Sequence, residues 1–339
     1  MTIIVNNLPE DKWRAYLEQH PHSNIFHAPE MFQVLAQSVG HCPTLWTAID
    51  DDGQVLALLP VAHITLMGGP LRRLTTRAVA YGSVLCTCGP AGEEALETLL
   101  RAYTCTTRHQ ALFTELRHLS DTSAIQPVLS QCGFIYEDHL NYLIDLSCPL
   151  EQVMSNIGAR TRKHIRQGLR KGQVIVEQAT DSSLVQVCYD LIQKSYAAAH
   201  MPLADRSLFK AAFEVLHPRG MIQFWLARVG GAYVAASVEL PYKNVIYGWY
   251  SGVDRQYADL SPSELLMWHV LKWGAENGYK VYDFGGAGRP SEKYGVRDFK
   301  AKFGGRLVCF GRNTCVHSPN LLRLSEFGYR IYRRCFRRQ

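Results

Sequence analysis

Apolar residues recur along this chain at two spacings, and the spacing changes in a regular order. In residues 10–19, Trp13, Ala15, Tyr16 and Leu17 stand among polar neighbours, which predicts a helix. Residues 29–37 predict a second, with Pro29 in the first turn, where its missing N–H would have had no partner. Residues 44–49 and 54–63 are apolar runs around Asp50-Asp51-Asp52-Gly53 and predict a β-hairpin. A helix over 92–103, a strand over 111–116, a helix over 122–131 and strands over 134–146 follow.

The second half runs in the same order. Residues 184–198 and 207–216 predict helices, and 222–229 and 232–240 predict a hairpin around Gly230-Gly231. A strand at 245–250 leads to a helix at 263–277, capped by Ser261 or Ser263 and stopped by Gly278, then a strand at 280–284. Two helices, a hairpin, and then alternating helix and strand thus occur in both halves. Mixed order with hairpins predicts an α/β (α+β) protein with mixed sheets and argues against a doubly wound dinucleotide fold. Gly285-Gly286-Ala287-Gly288 follows a strand but does not match the dinucleotide-binding glycine pattern.

The 339 residues suit two domains of roughly 150 residues each. With 47% hydrophobic and 19% charged residues, the chain has material for packed cores and is not a disordered one. The start, Met1-Thr2-Ile3-Ile4-Val5, lacks the basic flank and long apolar run of a secretory leader, and no run of about 18 apolar residues could span a bilayer. The expected location is cytoplasmic. Ten cysteines are scattered, and Cys86 and Cys88 are too tightly spaced for a zinc knuckle, so reduced thiols are expected and no metal.

The net charge of +6 is unevenly placed. Arg160, Arg162, Lys163, Arg166, Arg170 and Lys171 fall in residues 158–173 without an acid. Arg323, Arg330, Arg333, Arg334, Arg337 and Arg338 fall in 321–339 against Glu326. Such clusters suit phosphate-bearing partners: a nucleotide, RNA, or the anionic inner face of a membrane met by the Arg-rich C-terminus. DNA is not among the expected partners.

Three segments carry the chemistry. The first runs from Arg160 through Lys171 to Gly172 and leads into an alternating strand at 174–177. The second is Tyr282-Asp283-Phe284-Gly285-Gly286. The third is Phe299-Lys300-Ala301-Lys302-Phe303-Gly304-Gly305. Singly, they are explained as a solvated helix face, a turn and an edge strand with a glycine kink. On residue physics alone, an α/β enzyme and an RNA-binding module both remain open.

Together, in this order, they resemble the FemAB family, the peptidoglycan interpeptide-bridge aminoacyltransferases and related GNAT-type N-acyltransferases. Asn24-Ile25-Phe26-His27-Ala28-Pro29-Glu30-Met31 resembles that family's Phe-x-x-Pro-Glu-Trp opening, with Met31 at the aromatic position. The resemblance implies tandem GNAT-like domains, here expected over 1–148 and 149–317, with a C-terminal helix at 318–339 returning to the first. About 40 residues without heptads separate Asp181 and Ile222, so the chain resembles the short, armless kind.

The reaction so implied is attack of an amine on an activated acyl carbon, which needs a proton acceptor and a positive charge or donor for the oxyanion. Matched by motif, Lys300 is the residue that stabilises charge in the family, with Phe299 beside it. If this segment is a strand, Lys302 shares its face. Asp283 is a candidate to orient or accept a proton, and equally a cap for its own turn. Tyr247 and Tyr250 could line the acyl site or pack in the core. Arg160, Arg162, Lys163 and Arg166 could hold acceptor phosphates.

No cofactor is expected; the co-substrate is aminoacyl-tRNA or acyl-CoA. Residues 255–262 lack the (Gln/Arg)-x-x-Gly-x-(Gly/Ala) turn that cradles coenzyme A pyrophosphate, which favours aminoacyl-tRNA. The alternatives are a coenzyme A-dependent N-acyltransferase acting on an amino sugar, polysaccharide or small metabolite, and a non-catalytic RNA- or membrane-binding double-GNAT protein.

Overall fold

The computed structural model describes residues 2–336, with side chains as far as residue 328. Two compact units emerge: residues 1–138 together with 310–339, and residues 139–309. Among the described residues each is built on one mixed sheet.

The sheet of the first unit has eight strands. Its path runs Ile3–Val5, His41–Ile49, Val55–Thr65, Thr76–Ala80, Phe113–Arg117, Arg312–Val316 and Ile135–Glu137, with Leu85–Cys86 pairing onto Val55–Thr65. The expected hairpin is there: Asp50 closes its turn by accepting from the N–H groups of Asp52 and Gln54. Thr76–Ala80 and Phe113–Arg117 run parallel, joined by the helix Pro90–Thr107. That helix buries Ala95, Leu96, Leu99, Leu100 and Tyr103 in the core.

The second unit's sheet has seven strands, in the order Arg306–Cys309, Leu140–Asp145, Val281–Gly286, Val245–Val253, Ala232–Tyr242, Gln223–Val229 and Val174–Gln178. Val245–Val253 and Val281–Gly286 are parallel, and the helix Pro262–Glu276 joins them. That helix packs Leu265, Leu266, Val270 and Leu271 against Ile246, Tyr282, Phe284 and Phe303. The helix Ser182–Ala198 begins where Asp181 accepts from the N–H groups of Ser183 and Leu184.

Both units therefore repeat one topology: an antiparallel pair, a helical crossover to a parallel strand, then two antiparallel strands beyond it. Those last strands set boundaries that differ from the sequence expectation of 148/149 and 317/318. Leu140–Asp145 hydrogen-bonds between Val281–Gly286 and Arg306–Cys309 in the second sheet. Arg312–Val316 bonds between Phe113–Arg117 and Ile135–Glu137 in the first. The helix Pro319–Phe336 follows and meets the short helix Arg72–Thr75, where Ser325 Oγ donates to the Leu74 carbonyl at 2.7 Å. Of the Arg-rich tail, the side chains of Arg330, Arg333, Arg334, Arg337 and Arg338 lie outside the described residues. Among the described residues no helix is long and apolar enough to cross a membrane.

Candidate active site

The second sheet changes character where its one parallel ladder ends. Val245–Val253 and Val281–Gly286 are in register from Val245 opposite Val281 to Tyr247 opposite Asp283. Past that point the first strand continues to Val253 along Ala232–Tyr242. The second continues to Gly286, which meets Asn141 after an irregularity. The carbonyls of Phe284, Gly285 and Gly286 thus lie beyond the parallel ladder, in a buried stretch that must find other donors.

Lys300 supplies them. Its ammonium donates to Phe284 O at 2.5 Å, Gly285 O at 3.2 Å and Gly286 O at 2.7 Å. An ammonium has three N–H donors, so this set engages all of them. The lysine is 8% exposed, and burial holds its pKa down to about 8, with the charge of Asp283 acting the other way.

Asp283 is buried on the same strand. Its Oδ1 accepts from the Gly285 N–H at 2.7 Å and from Asn141 Nδ2 at 3.2 Å. Burial pushes this carboxyl up to about 6, opposed by those two donors and by Lys300. Of the two sequence readings of Asp283, the cap is present in the Gly285 N–H bond, and the carboxyl is also buried.

The motif around Lys300 is a helix, Gly295–Ala301, and not the edge strand expected. The reason is tertiary packing: Phe299 and Phe303, four residues apart, meet at 5.2 Å, and Phe303 is buried in the core. Lys302 therefore does not share the face of Lys300. It lies over the Phe299 ring at 5.6 Å and 3.8 Å from Glu264 on the crossover helix. Arg297, on the same short helix, donates to Ala287 O and to the carbonyls of Pro290 and Arg289, and so ties down the loop after Gly286.

The basic helix is Ala159–Lys171 and joins the motif directly, because the Gly158 N–H donates to Lys302 O at 2.9 Å. It buries Thr161 and Ile165 and leaves Arg160, Lys163, Arg166 and Arg170 exposed. Among the described residues none of these four has an ion pair. Arg162 is different. It donates to Ser155 O at 2.5 Å and Ile157 O at 3.3 Å through Nη1, closing the end of the helix Leu150–Asn156. The two tyrosines separate. Tyr247 stands opposite Asp283, with its hydroxyl close over Gly285. Tyr250 packs against Phe209 at 4.8 Å and Tyr196 at 5.9 Å.

The sequence reading missed Asn141 and Glu239. Glu239 is fully buried and accepts from the Tyr282 hydroxyl at 3.0 Å; burial pushes it up to about 7. A lone acid in the apolar run Val234-Ala235-Ala236-Ser237-Val238-Glu239-Leu240 was the available signal. Asn141 gave none, since its partner is 142 positions away. A further feature is a cleft of about 140 Å³ between His164 and Lys171 of the basic helix and Ser261, where the crossover helix begins.

Residues 156–301 match the acetyltransferase (GNAT) domain family model. Over the whole chain the fold is similar to that of FemX, with 14% identity, 96% of this chain and 99% of that chain covered, and a TM-score of 0.72. It is also similar to L-PGS from Bacillus licheniformis (14% identity, 95% and 97% covered, TM-score 0.57). A tandem GNAT protein from the clavulanic acid biosynthesis pathway is a third likeness (12% identity, 94% and 99% covered, TM-score 0.58). No curated protein matches the chain. Asp283 and Lys300 both lie inside the matched segment, and the chain has a tandem GNAT fold, similar to that of FemX, with a GNAT acetyltransferase domain match in its second unit.

Proposed function

We propose that the chain transfers an aminoacyl group from aminoacyl-tRNA to an amine, with a peptide amine such as that of a peptidoglycan precursor as acceptor. One observation carries the reading: Asp283 and Lys300 hold the Phe284–Gly286 backbone from two sides where the parallel ladder ends. In the reaction, the amine nitrogen bonds to the acyl carbon and the ester C–O bond to the tRNA ribose breaks. Asp283 accepts the amine proton, and that proton returns to the leaving ribose oxygen; a carboxyl titrating near 6 suits both transfers at neutral pH. Lys300 contributes a fixed positive charge to the oxyanion. Its three carbonyl bonds mean that it acts by charge and by positioning Gly285 and Gly286, with Phe299 packed beside it. Tyr247 borders the acyl group, and exposed Arg160, Lys163 and Arg166 meet phosphates of the tRNA or of the acceptor.

A second reading, an acyl-CoA donor, is favoured by the cleft at Ser261, where His164 and Lys171 face the start of a helix.

The test is transfer from labelled aminoacyl-tRNAs and, separately, from acyl-CoAs to a panel of amines that includes a nucleotide-linked muropeptide. Lys300→Met is run beside the wild type. Transfer from aminoacyl-tRNA, reduced about 10²- to 10³-fold in the variant, is expected. Transfer from acyl-CoA alone would replace the donor and keep the site. Nucleic acid or lipid binding without transfer from either donor would favour the non-catalytic alternative.

A further inference from the structure

The first unit carries an apolar surface that the transfer chemistry does not use. The connection between the strands Val55–Thr65 and Thr76–Ala80 reads Leu66-Met67-Gly68-Gly69-Pro70-Leu71-Arg72-Arg73, and every one of these residues is exposed. Leu66, Met67 and Leu71 are 66%, 51% and 43% exposed. The loop is nevertheless built. The Leu66 N–H donates to Thr75 O, and Thr75 Oγ1 accepts from the Met67 N–H and bonds to the Met67 and Leu71 carbonyls. An ordered tip that offers large apolar side chains to water needs a reason.

The terminal helix meets the base of this loop. Ser325 Oγ donates to Leu74 O, and the helix contacts Arg72–Thr75. On it, Leu324 is 53% and Phe327 56% exposed. Charge around this surface is mostly positive. Arg72 and Arg73 flank the loop's apolar residues and Arg323 precedes Leu324. Across residues 319–339 six arginines stand against the single acid Glu326.

We propose that the loop 66–73 and the exposed apolar side of the terminal helix form one docking surface for an anionic lipid bilayer. Leu66, Met67, Leu71, Leu324 and Phe327 enter the headgroup and acyl boundary, while Arg72, Arg73 and Arg323 remain at the phosphates. Apolar residues backed by cations are what an interfacial helix and an insertion loop require. The same charge pattern favours a lipid surface over a second copy of this chain, whose matching patch would be equally positive. This inference is independent of the donor and of the Lys300 site.

The experiment is co-sedimentation of the full-length protein with vesicles of phosphatidylcholine alone or with phosphatidylglycerol added. The protein is expected to bind only the second kind, more weakly as salt rises. Leu66→Asn with Met67→Asn, and separately Leu324→Asn with Phe327→Asn, should each weaken binding about tenfold or more, with the melting temperature unchanged because all four side chains are exposed. Arg72→Gln with Arg73→Gln should lower the salt sensitivity. Three outcomes would overturn the proposal: no binding to the anionic vesicles at low salt, binding that ignores both apolar pairs, or a dimer in solution that the apolar pairs convert to monomer.

Discussion

Glu239 shows how one buried residue sets a measurable property. Its carboxyl lies wholly inside the second unit, accepts from the Tyr282 hydroxyl, and is pushed by burial to about 7. A carboxyl whose folded pKa is raised stays protonated in the native state while the unfolded chain ionises. Its contribution to stability is then complete below the unfolded pKa and lost as the pH rises through about 7. Between pH 5 and pH 8 that loss is on the order of 3 kcal/mol at most. Gln in its place keeps an oxygen for Tyr282 but cannot ionise. Urea denaturation at both pH values should show the wild type losing more stability than Glu239→Gln. Equal losses would mean that Glu239 is ionised in the native protein. The acid was visible in the sequence as one charge in an apolar run, but its partner, 43 positions away, was not. The same holds for Asp283: the motif pointed to it, while the Asn141 amide that fixes it comes from a distant strand.

At the scale of elements, hydrophobic spacing was a good guide where an element is long and one face is wet. The helix Glu10–Gln19 and the hairpins closed at Gly53 and at Gly230-Gly231 lie where the pattern places them. It misled at the Lys300 motif, whose helix spans only seven residues and whose glycines also suit a kinked strand. Tertiary contact decides that case. Gly304 holds φ at +73°, and a Cβ there would stand 1.9 Å from the Asn156 carbonyl oxygen. Gly304→Ala should therefore cost more than the about 1–3 kcal/mol of a left-handed backbone. It should also loosen the Lys302 to Gly158 bond that joins the motif to the basic helix. Gly172→Ala is the control, since φ is +64° there but nothing lies within 4 Å. Thermal melts should rank wild type, then Gly172→Ala, then Gly304→Ala. A reversal of the two variants would place the need for glycine in the backbone angle and not in the close approach.

For the whole molecule, the doubled order of elements disclosed two similar units but not where the chain passes between them. Patterning reports which face of a strand is buried and is silent about its partners. Residues 140–145 read as the close of the first half, yet they form the strand between Val281–Gly286 and Arg306–Cys309 and bring Asn141 to Asp283. Residues 312–316 read as the close of the second half. They complete the first sheet, where Asn313 is fully buried and bonded to His118, Gln126 and Phe134. A fragment cut at 149 and 317 would lack an interior strand of its own sheet and carry one whose partners are absent, leaving two sheet edges open. A fragment of residues 139–309 keeps every strand of the second sheet. The longer fragment should be soluble and unfold in one urea transition, whereas 149–317 should aggregate or unfold without cooperativity. By the same reasoning 1–138 alone should not fold, for lack of Arg312–Val316. If 149–317 unfolds as sharply as 139–309, the pairing of Leu140–Asp145 is dispensable. The anchoring of Asp283 by Asn141 would then be dispensable with it, so the fragment experiment reaches from the topology down to the residue proposed to accept the proton.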